Sequence, residues 1–140
     1  MKVVVFVKGT QSSERGELPT QELLTAMGAY NQRLVEAHIM EAGEGLKPSR
    51  AGARVTFSGP FRTVSSGPFD PPEELVSGFW IWNVKDMDEA IEWVKRCPNP
   101  MPEESVIEIR PVYGTEDFGE SASLDNRQES ALIEAIDCSA

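Results

Sequence analysis

The first apolar feature along the chain is Lys2 to Lys8, KVVVFVK, a β-branched run with no polar alternation. A strand of that kind is covered on both faces, so it is expected to be central in its sheet. A polar loop follows, and Pro19-Thr20-Gln21-Glu22 then offers a Thr cap and an acidic first turn. Leu23, Met27, Tyr30 and Leu34 recur at helical spacing, with Leu24 and Val35 widening the stripe. This predicts an amphipathic helix to about Glu41, terminated by Gly43.

Short runs at Ala53 to Phe57 and Phe61 to Ser65, parted by Ser58-Gly59-Pro60, predict a hairpin. The stretch from Ser66 to Ser77 is rich in Gly and Pro and predicts an irregular loop. Gly78 to Val84, GFWIWNV, is apolar on both phases like the first strand. Asp86-x-x-Glu89 has capping-box form, and Met87, Ala90, Ile91 and Val94 continue a second helix until Pro98. Between Ser105 and Val112, Ile107 and Ile109 share one phase while Glu108 and Arg110 share the other, which predicts a last strand.

The order of strand, helix, two or three strands, helix, strand is the split βαβ pattern of the ferredoxin-like superfold, an α+β class with an antiparallel sheet. Its helices lie on one face only. Two strands that are apolar on both phases therefore require a cover for the far face, and a second copy of the chain is the simplest one.

Composition narrows the function classes. At 140 residues the chain fits one domain with a core of its own. A formal net charge of −10 disfavours a nucleic-acid partner, because such binding rests on clustered Lys and Arg. From residue 113 onward seven acids stand against the single base Arg127, so residues 120–140 are expected to be an acidic tail, with a possible short helix around Leu124 to Ile136. Val3 to Val7 is too short to cross a membrane and has no cleavage site behind it, so no membrane association and a cytoplasmic location are expected. Cys97 and Cys138 form no CxxC, which predicts reduced, structural thiols.

Several segments, taken in order, resemble the YCII-related family in its DGPF branch. They are Leu18-Pro19-Thr20, Met27 to Asn31, Leu34 to Ala37, Ala42 to Ser49, Gly67-Pro68-Phe69, Gly78-Phe79-Trp80, Ile107 to Val112 and Glu116 to Gly119. The resemblance runs over residues 1–119. It implies a dimeric α+β barrel in which two sheets pack face to face around a cavity near the interface, and, for a few family members, an Asp and His pair acting on small aromatic or lactone-like molecules. Here Ser66 stands where the DGPF motif opens with an acid, and a hydroxyl does not replace a carboxylate as a base at neutral pH. The only histidine, His38, does not match the family's catalytic position.

Candidate site residues follow from these patterns. His38 borders the apolar stripe near a helix end and is either a capping residue or an acid–base group. Glu44 sits between Gly43 and Gly45, where a rigidly held carboxylate can act as a base or merely cap amides. Glu108 and Arg110 are expected to face the intersheet space, as an internal ion pair or as an acid–base group and an anion anchor. Tyr30, Phe69, Trp80 and Trp82 are candidates for an apolar pocket or for the core, and Ser66 is a ligand-contact candidate by its motif position. No P-loop, HExxH, GxSxG or metal-ligand set is present, so neither a metal nor a cofactor is expected. The expectation is a homodimeric small-ligand-binding or accessory module. The alternative is an enzyme with isomerase- or lyase-like acid–base chemistry on a small aromatic or lactone-like substrate.

Overall fold

The computed structural model describes residues 1–118. The acidic tail and its expected helix at Leu124 to Ile136 lie outside the described residues. Six strands and three α-helices follow one another as β1 (Lys2–Lys8), α1 (Gln11–Glu14), α2 (Gln21–Glu36), β2 (Met40–Gly45), β3 (Ala53–Ser58), β4 (Phe61–Ser66), β5 (Val76–Asn83), α3 (Met87–Lys95) and β6 (Ile107–Pro111). Four strands form an antiparallel sheet in the order β2-β5-β1-β6, and β3 and β4 pair only with each other. With that hairpin set aside, the order is the ferredoxin-like one. The two uninterrupted apolar runs, β1 and β5, are its inner strands.

Strand register sorts the residues by face. Val3, Val5 and Val7 pair with Trp82, Trp80 and Gly78, and this set packs under the helices with Tyr30, Leu34, Val84 and Ala90. Ile107 and Ile109 lie opposite Val7 and Val5, so they belong to the same helix-covered face. Val4, Phe6, Phe79 and Ile81 occupy the other face and are only half-buried. The expectation that these strands are apolar on both sides is thus met, and no other element among the described residues covers the far face.

Local chemistry places the elements. Thr20 Oγ1 accepts from Leu23 N at 3.2 Å, and Asp86 Oδ1 accepts from Glu89 N at 2.9 Å, so both expected caps start their helices. The hydroxyl of Tyr30 on α2 donates to the carbonyl of Trp93 on α3 at 2.6 Å and ties the two helices together.

Three expectations need correction. Helix α2 ends at Glu36, not near Glu41, because His38 adopts φ 59°. There His38 N donates to Val35 O at 3.0 Å and Ile39 N to Leu34 O at 2.9 Å, the paired bonds of a Schellman termination. Gly43 is therefore no helix terminator but a residue of β2, a sheet strand that carries no legible apolar alternation. The hairpin is present as expected, but it is an insertion between β2 and β5 rather than part of the main sheet. The polar loop after β1 also contains the short α1, with Thr10 and Ser13 closing a capping box. No helix among the described residues is long and apolar enough to cross a membrane.

Candidate functional site

Where β2, β5 and β1 run toward Gly45, Gly78 and Val7, the helix-covered face of the sheet has almost no side chains. Gly45 pairs with Gly78, and Gly78 pairs with Val7. A Cβ placed on Gly45 would meet nothing within 4 Å. That missing volume is the floor of a cavity of about 1140 Å³. Its inner end is Trp80, whose indole lies so close to β2 that a Cβ on Gly43 would stand 2.6 Å from Trp80 Cδ1.

One wall is α2, through Leu23, Leu24, Met27 and Asn31. The loop Gly16 to Thr20, the turn Leu46 to Pro48 and the segment Asn99 to Pro102 complete the rim. The lining is mostly apolar with a few placed polar groups, as small-molecule sites usually are. Asn31 is one of these. Trp80 Nε1 donates to Asn31 Oδ1 at 3.0 Å. Since an indole nitrogen can only donate, the amide is oriented with its Nδ2 donors available to a ligand.

The rim is electrostatically one-sided, with Glu17, Glu22 and Glu44 against Lys47. Arg15 Nε donates to Glu17 Oε1 at 2.9 Å, and Ser12 Oγ donates to the other oxygen. The Arg15 hydrogen bond first, and the Ser12 hydroxyl second, hold the Glu17 carboxyl below the usual carboxylate range. Glu17 is consequently an anion at neutral pH and no proton donor. Beside it, hydrogen bonds from Thr10 and the Ser12 amide lower Glu103 in the same way.

The residues singled out from sequence are dispersed. Trp80 and Glu44 border the cavity, but Glu44 pairs with Phe79 and by register shares the open face with it. Glu44, Phe79, Phe6 and Glu108 form one cross-strand row. Three inter-strand steps separate the two carboxylates, roughly 14 Å at the usual strand spacing. They cannot share a proton. Glu108 and Arg110 make a 3.6 Å ion pair on the open face, and the Arg110 side chain is 70% exposed in the single chain. His38 is exposed and serves as the left-handed residue after α2.

Tyr30 is fully buried, its ring edge-on to Trp80 and Trp93, and burial pushes its hydroxyl well above the usual phenol range. Trp82 is likewise a core residue. Ser66 ends β4 on an exposed stretch, opposite Ala53. Phe69 N donates to Ser49 Oγ at 2.8 Å, and the Arg54 guanidinium lies 4.0 Å over its ring. Gly67 fits here because it packs against the Ser49 carbonyl, with no room for a side chain. No group of three His, Cys, Asp or Glu side chains among the described residues could hold a metal.

Sequence reasoning missed Asn31, Gly45 and Gly78. Asn31 had a readable signal, since it follows Met27 by four residues and puts an amide on the flank of the apolar stripe.

Comparison with known proteins adds the following. An uncharacterized protein of Rhizobium meliloti (strain 1021) is 26% identical over 92 residues, 66% of this chain and 74% of that protein. Among solved structures, 5-chloro-2-hydroxyhydroquinone dehydrochlorinase from Burkholderia phenoliruptrix AC1100, in complex with 2,5-dihydroxybenzoquinone, is 18% identical. That match has a TM-score of 0.43 and covers 83% of this chain and 98% of the other. The YCII-related domain model matches residues 1–116 of the 140, and the chain belongs to the YCII-related family.

Proposed function

We propose that this chain is a homodimeric small-molecule-binding module, with the ligand seated over Gly45 and Gly78 against Trp80. The observation that carries the reading is the open space above Gly45, on a sheet face that is otherwise filled by core side chains. A planar, largely apolar molecule fits between Trp80 and the Leu23 and Met27 wall, with an acceptor atom for the Asn31 amide. The acidic rim favours a neutral or cationic ligand over an anion. Dimerisation through the open sheet face would cover Val4, Phe6, Phe79 and Ile81, an apolar area that soluble monomers rarely expose.

The enzyme alternative would assign the acid–base role to Glu44. A second titratable group would have to come from Glu17, Glu22 or Lys47 on the rim, because Glu108 is three strands away, and of these Glu17 is held ionised and offers no proton. The test is fluorescence titration with the neutral aromatic probe 1-aminoanthracene. Gly45→Leu, which fills the cavity, is expected to lower affinity at least tenfold with an unchanged melting temperature, while Glu44→Gln leaves affinity as it was. Wild-type affinity in Gly45→Leu would overturn the reading.

A further inference from the structure

Among the described residues, the inserted hairpin has its apolar face turned to no other element. Directly paired residues share a face, so Ala53, Val55, Phe57, Arg62, Val64 and Ser66 lie on one side. Arg54, Thr56, Ser58, Thr63 and Ser65 lie on the other with Phe61. On the polar side Arg54 stacks on Phe69, in the loop that follows the hairpin. On the apolar side Phe57 is 70% and Val64 67% exposed. An isolated two-stranded ribbon is marginal in water, and one that shows its apolar side to solvent more so.

Charge says what covers it. Residues 50–66 carry Arg50, Arg54 and Arg62 and no acid, while the rest of the chain has ten bases against 23 acids. At the hairpin tip the Arg62 guanidinium sits 4.5 Å over the Phe57 ring, making a combined cationic and aromatic surface. A matching acidic and apolar surface of this same chain lies at the cavity rim, where Glu22 and the Arg15-bonded Glu17 stand with Leu18, 89% exposed, and Leu24, 52% exposed. Opposite charges with matched apolar groups are what a specific contact requires.

We propose that the β3–β4 hairpin is an arm that docks, through Phe57, Arg62 and Val64, on the 17–24 rim of a second copy and closes that copy's cavity. Each strand of six residues spans about 20 Å, enough to reach across a subunit boundary. The site is then composite, with its floor from one subunit and its lid from the other. The cavity is somewhat larger than the usual small-molecule range of roughly 300–1,000 Å³, as expected of a site that lacks its cover. This rests on the cavity being the ligand site, but the test below reads the arm without any ligand.

Phe57 is replaced by the photocrosslinking residue p-benzoylphenylalanine, light and ¹⁵N-labelled subunits are mixed, and crosslinked peptides are sequenced after irradiation. The expected product joins residue 57 of one chain to peptide 17–24 of the other, in mixed-label pairs. Adding Val64→Lys on the apolar side should cut its yield at least fivefold, whereas Thr63→Lys on the polar side should change it less than twofold. Links within one chain, links to any other segment, an absence of protein–protein links, or equal effects of the two lysines would each overturn the proposal. Loss of 1-aminoanthracene binding in Gly45→Leu is a separate readout, so failure of the arm and failure of the cavity can be told apart.

Discussion

Gly28 lies on the exposed surface of α2, and a Cβ added there would meet nothing within 4 Å. Glycine inside a helix costs about 1 kcal/mol relative to alanine. Gly28→Ala should therefore stabilise the protein by about 1 kcal/mol, seen as a higher urea midpoint at unchanged m-value. Burial raises the Cys97 thiol to about 11 from its ordinary 9.0. Below pH 9 the folded and unfolded chains both keep this thiol protonated, and between pH 9 and about 11 only the folded one does, so its contribution to stability is lost as pH rises through that window. At pH 8 the suppressed thiolate should make Cys97 react with Ellman's reagent ten- to a hundredfold more slowly than an exposed cysteine, measured in Cys138→Ser. Roles at this scale were partly legible. The Thr20 and Asp86 caps follow from local chemistry, whereas the left-handed turn at His38 does not, because a non-glycine residue accepts that conformation only where Leu34 and Ile39 are both drawn into the core.

Strand β2 shows how an element can be hidden by the site it builds. On the helix-covered side its positions are Met40, Gly43 and Gly45, with an irregularity in the pairing around Glu41. The two glycines leave no apolar period to read, so the segment passes for the end of a helix. Gly43 is required by the Trp80 indole and Gly45 opens the cavity. Gly43→Ala should cost about 1–3 kcal/mol, the usual range for overpacking against a buried ring, and should perturb near-ultraviolet circular dichroism from Trp80. Gly45→Ala should be tolerated. Conversely, β1, β5, α3 and β6 were legible because their apolar residues all serve the core or the sheet faces, and periodicity reports that burial directly. At Glu17 on the rim and at Glu103, lowered carboxyls give their contributions above the ordinary carboxylate range and lose them as pH falls through their folded values. Amide exchange at Ser12 should accordingly quicken once pH drops below the ordinary carboxylate range, after correction for intrinsic rates.

The described residues form a ferredoxin-like sheet with helices on one side, an apolar face that none of them covers on the other, and a ligand-sized cavity at one end of the covered side. Light scattering at micromolar concentration should return twice the 15.4 kDa chain mass. A monodisperse monomer would contradict the dimer and the docked arm together. If the open faces meet, the Glu108–Arg110 pair passes from solvent into an interface, so Arg110→Ala should weaken dimerisation while changing the stability of the isolated chain by less than about 1 kcal/mol. Fold class and family could be read at this scale, since they rest on element order and on motifs spread over most of the chain. The cavity could not be, because it depends on glycines of separate strands meeting side by side. The most direct measurement is an amide chemical-shift titration with 1-aminoanthracene. The account predicts perturbations centred on Asn31, Gly43, Gly45, Gly78 and the Trp80 indole. Perturbations confined to Val4, Phe6, Ile81 and Arg110 on the open face would contradict it.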